Sequence, residues 1–231
     1  MDLYYLIFVV PTLLLSLWAQ FMVKSTFSKF SKVPCSRRIT GTDAANLLLT
    51  SNNIHDVKVE AVGGSLTDHY SPHDKKLRLS EPVYGSTSIA AVGVAAHEAG
   101  HAIQHAIKWG PLVMRSTLVP VANIGSKLGP WIAIAGLGIS GTSYNAISQL
   151  LFNIGILLFS GAVVFYIITL PVEFNASNRA IAILRSNNVL SENELKNVKK
   201  VLNAAALTYI ASALTAIASF LRLILMRKGR R

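Results

Sequence analysis

The chain has 231 residues, of which 52% are apolar and only 14% are charged, and its mean hydropathy is +0.45. This balance excludes an ordinary soluble protein and indicates several bilayer-spanning helices. The net charge of +11 comes from basic residues in loops beside apolar stretches, a pattern typical of cytoplasmic loops that argues against nucleic-acid binding. A single cysteine, Cys35, excludes a disulfide framework and a cysteine-based zinc site.

The first predicted element is a transmembrane anchor over residues 1–23. Its apolar run from Leu3 to Val23 is long enough to cross a bilayer, and Asp2 stands where a signal peptide carries basic residues. Basic residues follow directly from Lys24 onward. The pattern predicts an uncleaved anchor with its N-terminus outside the cell and its basic flank inside.

Residues 24–112 are predicted to form a soluble, zincin-like part. Capping residues followed by an apolar face predict a short helix over residues 42–51. Alternating apolar and polar residues, separated by turn residues, predict strands over 57–62, 66–70 and 77–79. We expect these three strands to form a small antiparallel sheet.

A helix predicted from about Ser88 to Trp109 carries the most specific motif of the chain, His97-Glu98-Ala99-Gly100-His101. The two histidines are separated by about 40° of rotation and about 6 Å of rise. In zinc hydrolases, two such histidines bind the metal and the glutamate between them activates a water. We expect Gly110-Pro111 to end this helix.

Apolar and polar stretches alternate after the motif helix. Residues 113–170 predict a transmembrane hairpin, whose spans Val113–Ile139 and Ile147–Leu170 are joined by an uncharged loop with its tip outside. Residues 171–203 follow as a polar helical region that contains Glu173. Residues 204–231 follow as an apolar helix with a basic tail.

The predicted fold class is a mainly α membrane protein with about four transmembrane helices. A small α+β zincin-like domain, made of the motif helix and the short antiparallel sheet, would lie at the membrane surface. With an outside N-terminus, residues 24–127 and 171–203 share the inner side, which holds 17 of the 22 Lys and Arg residues. We therefore expect a multi-pass cell-membrane protein whose catalytic part is on the cytoplasmic side.

The same topology would place the basic C-terminal tail outside the cell. This conflicts with the tendency of basic residues to stay on the cytoplasmic side. Two explanations stay open. Either the last apolar segment is re-entrant or lies along the membrane surface, or the number of spans differs by one.

A zinc-activated hydrolase needs three protein ligands and one open position. His105 continues the histidine series but lies about 12 Å along the helix axis from His97, too far for one ion to bind both. Glu173 is the preferred third ligand, because it follows a membrane span that returns the chain to the side of the motif. His69 or His73 is the alternative and would complete a three-histidine site.

Longer stretches of the chain resemble a known family. They are His-Glu-Ala-Gly-His-Ala-Ile-Gln-His at 97–105, Leu-Pro-Val-Glu-Phe-Asn-Ala-Ser at 170–177, and parts of Leu66 through Ser80. These residues are similar to the YugP-like membrane zinc metallopeptidases, and the resemblance covers essentially the whole chain.

The resemblance implies a membrane-embedded zinc endopeptidase that binds one Zn²⁺ ion. His97 and His101 would be ligands, and Glu98 would activate a zinc-bound water as the catalytic base. By analogy with the HtpX/Ste24-type membrane gluzincins, Glu173 would be the third ligand. Those relatives carry an aspartate four residues later, where this chain has Ser177, so that Ser177 or Asn178 would give a ligand histidine only a weaker hydrogen bond.

The expected partners are a peptide or protein substrate, with membrane proteins among the candidates, and the lipid bilayer. An extended substrate would pair with an edge strand over residues 66–70. The oxyanion of the reaction needs a second donor, for which His69, Tyr70, Tyr84 and Arg179 are the candidates.

Two other functions remain alternatives. One is a catalytically silent membrane zinc-binding or scaffold protein, which keeps the metal without hydrolysis. The other is a site-two-type intramembrane protease, whose third ligand is usually an aspartate from a later span. The chain has no aspartate after Asp74, which weakens the second alternative.

Overall fold

The computed structural model describes residues 2–138 and 146–228, and it is mainly helical. The predicted loop between the two hairpin spans, residues 140–145, lies outside the described residues. In chain order, the elements are a π-helical turn (Tyr5–Val9), α1 (Val10–Phe30), α2 (Gly41–Ser51), β1 (Lys58–Val62), β2 (His69–Ser71), β3 (Lys76–Ser80), α3 (Glu81–Tyr84), α4 (Ile89–Ala106), α5 (Gly110–Gly138), α6 (Ala146–Ser186) and α7 (Glu192–Lys228).

The chain divides into two compact units, to which α1, α5, α6 and α7 each contribute residues. The apolar unit consists of Met1–Trp18, Val113–Leu170 and Thr208–Arg231. The mixed unit consists of Ala19–Leu112 and Pro171–Leu207. The predicted division into five segments stays a prediction.

Among the described residues, four helices are long and apolar enough to cross a membrane. They are Tyr5–Phe30, Gly110–Gly138, Ala146–Ser186 and Glu192–Lys228. The predicted number of about four such helices is confirmed.

The helices after the hairpin continue across the ends of the predicted segments. Pro171 does not begin a new helix but lies inside α6. A proline removes one backbone N–H and crowds the preceding turn, but neighbouring packing lets long apolar helices continue through it. The chain turns instead after Ser186, where Asn188 has a φ of 50°. The polar region 171–203 is therefore divided between α6 and α7, and α7 continues without a break into the last apolar segment.

The motif helix is α4, and its start agrees with the prediction. Ser88 precedes it, and the Ser88 hydroxyl accepts a hydrogen bond from the N–H of Ala91. The helix ends at Ala106, because Lys108 adopts a left-handed conformation with a φ of 50°. Gly110-Pro111 begins α5 and does not end α4, as the first turn of a helix accepts proline without losing a hydrogen bond.

The small sheet is mixed and not antiparallel as predicted. Its strand order is β1-β3-β2, in which β3 pairs with β1 in parallel and with β2 antiparallel. The loop between β1 and β2 bends through Gly64 and Leu66, both with positive φ, and leaves β3 to fill the central position. Residues 66–68 are therefore loop, and β2 is a short edge strand.

The apolar core of the mixed unit surrounds α4. Buried side chains from α2, β3 and the parts of α6 and α7 in this unit contact it, including Leu48, Leu79, Leu184 and Leu195. The predicted helix at 42–51 is confirmed as α2, which begins with a reciprocal capping box at Thr40. This core fixes α4 and the motif that it carries.

In the apolar unit, α5 and α6 approach so closely that small residues are needed where they cross. A Cβ added to Gly155 would overlap the backbone of Ala133, and one added to Gly125 would overlap the carbonyl of Leu158. Membrane helices pack through such contacts because lipid offers no hydrophobic driving force for their association.

The beginning and the end of the apolar unit are joined by an ion pair. Arg222 Nη2 lies 2.6 Å from Asp2 Oδ2. The Arg222 guanidinium also lies over the ring of Tyr5, 5.0 Å from its centroid.

Candidate metal centre

Three side chains from two helices of the mixed unit meet at one point. His97 and His101 come from α4, and Glu173 comes from α6. The Nε2 atom of His97 lies 3.3 Å from Oε2 of Glu173, and the Nε2 atom of His101 lies 3.5 Å from the same oxygen. The structure therefore brings the preferred third ligand to the two motif histidines.

The two nitrogen-to-oxygen separations fit a tetrahedral zinc ion. Zinc binds imidazole nitrogen and carboxylate oxygen at about 2.0–2.2 Å, so two ligand atoms of a regular tetrahedron lie about 3.3–3.5 Å apart. The observed nitrogen-to-oxygen separations are 3.3 and 3.5 Å. Two imidazoles and one carboxylate are also a donor set that zinc hydrolases use.

Gly100 explains how the two helices come close enough. A Cβ at this position would lie 2.6 Å from the carbonyl oxygen of Ala176 on α6, closer than real side chains approach. Only glycine therefore lets α4 lie against the turn of α6 that follows Glu173. The glycine inside the motif has a packing role that is separate from the metal chemistry.

The cluster is largely shielded from water. Glu173 is 2% exposed and His101 is 9% exposed. Burial lowers the pKa of His101, but the carboxylates of Glu173 and Glu98 raise this pKa by more, so that it lies above its ordinary value. A site with this much negative potential favours a cation, whether a proton or a metal ion.

Glu98 is held beside the cluster by the edge strand β2. Its Oε2 accepts a hydrogen bond from the backbone N–H of Tyr70, at 3.0 Å. The Tyr70 hydroxyl lies 2.8 Å from Nδ1 of His105, so one residue of β2 contacts α4 at two places. Burial and the nearby Asp56 carboxylate raise the pKa of Tyr70 to about 12, which keeps the phenol protonated. His105 lies outside the metal cluster, as the helical rise predicts.

Each motif histidine has a polar partner on its second ring nitrogen. The Nδ1 atom of His97 lies 3.0 Å from the hydroxyl of Ser177, four residues after Glu173. The Nδ1 atom of His101 lies 3.0 Å from Oε1 of Gln104. Sequence reasoning anticipated Ser177 but missed Gln104. The available signal was its place on the histidine face of the helix, three residues after His101.

The two other histidine candidates lie elsewhere. His69 contacts the carbonyl of Thr67 and the guanidinium of Arg78 on the exposed side of β2. The His73 side chain is 97% exposed and contacts Asp74. Neither belongs to the metal-ligand cluster found among residues 2–138 and 146–228, so the structure does not support a three-histidine site.

The remaining oxyanion candidates have their own contacts. Arg179 Nε donates to Oδ1 of Asn175, one helical turn earlier, at 2.7 Å. Tyr84 packs against the apolar core at the end of α3. Their suggested role in catalysis stays a prediction.

Known proteins share the sequence of this chain over most of its length. The model of the family described as "Putative neutral zinc metallopeptidase" matches residues 5–228. The "Putative membrane protease YugP" of Bacillus subtilis (strain 168) is 48% identical over 212 residues, which are 92% of this chain and 91% of that protein. No solved structure matches the chain. The chain therefore belongs to the putative neutral zinc metallopeptidases, the YugP-like family that its sequence predicts.

Proposed function

We propose that this protein is a membrane-embedded zinc-dependent endopeptidase. His97, His101 and Glu173 would bind the zinc ion, and Glu98 would be the general base. The observation that carries the proposal is the meeting of the Glu173 carboxylate with two imidazoles one helical turn apart. The family and the membrane protease relative support the same reaction class.

Zinc, when bound, supplies a Lewis acid that polarises the scissile carbonyl and makes a water molecule more acidic. The protein's own residues handle the proton. Glu98 follows His97 directly and takes the proton of the attacking water, then passes it to the leaving amine. The N–H of Tyr70 holds one Glu98 oxygen at 3.0 Å, which fixes the orientation of the carboxylate for this proton transfer.

The edge strand β2 provides a place for an extended peptide. An edge strand presents backbone groups on its outer side, and peptides bind such edges by main-chain hydrogen bonds. Tyr70 belongs to this strand and also contacts Glu98. Because the Tyr70 N–H already donates to Glu98, a peptide bound along β2 would pair with the remaining backbone groups of this edge and lie beside the general base.

Charge distribution supports a cytoplasmic position for the catalytic part. The mixed unit contains 15 of the 22 Lys and Arg residues of the chain. Basic residues near membrane spans favour the cytoplasmic side. The proposed enzyme would then act in the cell membrane on peptide segments that reach its inner face.

Replacement of Glu98 tests the proposal. Purified wild-type protein, Glu98→Gln and the control Glu81→Gln, which alters an exposed glutamate in α3, are compared for zinc content and for cleavage of a quenched fluorescent peptide library. We expect wild type and Glu81→Gln to bind zinc and cleave peptides. Glu98→Gln should keep its zinc but lose about 10²–10⁴-fold in rate, the usual contribution of a general base.

Two results would contradict the proposal. Wild-type protein that binds zinc but cleaves no peptide would indicate a silent zinc-binding or scaffold protein. Cleavage by Glu98→Gln at the wild-type rate would exclude Glu98 as the base.

A further inference from the structure

Gln104 is a completely buried polar side chain of α4, with 0% of its surface exposed. It follows His97 by seven residues and His101 by three, so all three side chains lie on one face of the helix. A buried amide is stable only when its donors and acceptors are bonded. The partners of Gln104 therefore decide what this residue does.

The Gln104 amide contacts both helices of the metal centre. Its Oε1 lies 3.0 Å from Nδ1 of His101, on its own helix. Its Nε2 donates to the carbonyl of Val172 at 2.9 Å and to Oδ1 of Asn175 at 3.0 Å, both on α6. Val172 directly precedes Glu173, so Gln104 contacts one candidate ligand and the backbone beside another.

The partners determine which end of the amide faces which helix. A carbonyl oxygen can only accept, so the Gln104 atom that faces Val172 must be the NH₂ group. The atom that faces His101 is then the oxygen, an acceptor, and Nδ1 of His101 must carry a hydrogen. When the ring is neutral, its lone pair is left on Nε2, the atom that lies 3.5 Å from Glu173.

The contact with Asn175 supports the same orientation of the Gln104 amide. Its Oδ1 accepts a hydrogen bond from Arg179 Nε at 2.7 Å, and a guanidinium can only donate. The Gln104 NH₂ group thus has an acceptor for each of its two hydrogens, Val172 and Asn175.

The His97 side of the centre lacks this constraint. Its Nδ1 lies 3.0 Å from the Ser177 hydroxyl, which can donate or accept. Ser177 alone does not select the hydrogen position on the His97 ring. Of these two contacts, only that with Gln104 fixes both a ring nitrogen and the backbone next to Glu173.

We propose that Gln104 is a positioning residue that couples metal binding to the docking of the Glu173 turn on α4. Its oxygen fixes His101 with Nε2 ready to bind a metal, and its NH₂ group fixes the backbone beside Glu173. This inference rests on the proposed function only for the metal ligands, and its test requires no proteolysis.

The test uses full-length protein in detergent. Gln104→Leu removes both functions of the amide, Gln104→Glu keeps only the acceptor for His101, and Ile103→Val is the control for a change in the buried core beside it. Zinc affinity is measured by competition with a chromophoric chelator. The hydrogen position on each ring is read from ¹⁵N-histidine NMR of metal-free protein, at a pH raised until both motif rings are neutral, since the pKa of His101 lies above its ordinary value.

We expect Gln104→Leu to weaken zinc binding about 10–100-fold, as loss of a histidine's supporting partner does. The His101 ring should become a mixture of tautomers in Gln104→Leu and keep its hydrogen on Nδ1 in Gln104→Glu. Ile103→Val should bind zinc within about threefold of wild type, since a loss of core packing alone leaves the ligand atoms in place.

The outcomes separate this inference from the proposed function. Wild-type zinc affinity and an unchanged His101 ring in folded Gln104→Leu would overturn the inference. If Gln104→Leu does not fold, Gln104→Glu decides, and a mixed tautomer there overturns the inference as well. If wild-type protein binds no zinc, the proposed function fails, while the NMR comparison still tests whether Gln104 fixes the His101 ring.

Discussion

The apolar unit and the mixed unit hold their helices together in different ways. In the apolar unit, glycines such as Gly155 let backbones touch, and large side chains such as Trp131 and Leu157 are 71% and 73% exposed. In the mixed unit, polar side chains join α4 to α6, and ligand candidates are buried. Close packing of small residues can build a scaffold, whereas holding a buried carboxylate beside two imidazoles requires directed hydrogen bonds.

The largest expected effect comes from Glu173 in the mixed unit. We expect Glu173→Ala to lose its zinc, because the ion keeps only two protein ligands. Glu192→Gln is the matched control, since Glu192 is an exposed glutamate that pairs with Arg185. Metal content of the purified proteins measures the difference. Zinc in Glu173→Ala at the wild-type level would show that the third ligand lies elsewhere.

Gly100 is the position where the mixed unit also relies on close backbone approach. Gly100→Ala places a Cβ 2.6 Å from the Ala176 carbonyl and should push α4 away from Glu173. Overpacking of this kind costs about 1–3 kcal/mol, which corresponds to about 5–150-fold in zinc affinity if all of it falls on the bound state. Gly110→Ala is the control, because a Cβ there meets nothing within 4 Å. Equal zinc affinities of the two variants would contradict this account of the helix crossing.

In the apolar unit, the corresponding change should affect stability and leave metal binding intact. Gly155→Ala would overlap the backbone of Ala133, whereas Gly138→Ala adds a methyl group in open space. We expect Gly155→Ala to lower the free energy of unfolding in detergent by about 1–3 kcal/mol and to keep one zinc per chain. Thermal unfolding measures the change in stability, and metal analysis measures the zinc content per chain. A loss of zinc in folded Gly155→Ala would contradict the expectation that packing in the apolar unit does not affect metal binding in the mixed unit.

The shared face of the two α4 motif histidines could be predicted from sequence because local spacing decides it, whereas Glu173 was chosen because it follows a span that returns the chain to their side. Two histidines four residues apart share a helix face whatever surrounds them, and few carboxylates follow the motif. The pairing of β1 with β3 depends on how a loop crosses the sheet, and the continuation of α6 through Pro171 depends on packing. Gln104 was missed because the hydrogen bonds of its NH₂ group are made with α6. The residues around Gln104 in the sequence do not indicate that α6 packs there.

The smallest expected effect concerns the pH dependence at Tyr70. Its pKa is raised to about 12 in the folded protein, against about 10 in an unfolded chain. The folded state therefore keeps this proton more firmly, and its contribution to stability is complete below pH 10 and falls as the pH rises towards 12. Tyr70→Phe should lose less stability than wild type between these values. Thermal midpoints at about pH 9 and pH 11 measure this, and equal losses would contradict it.

The Asp2–Arg222 ion pair ties the two chain ends to the same end of the apolar unit. If the long helices cross a bilayer, Asp2 and Arg222 lie on the same side of it, and the chain between them crosses an even number of times. An odd number of spans between Asp2 and Arg222 is therefore disfavoured. Topology reporters fused separately to the first and last residues should give the same compartment.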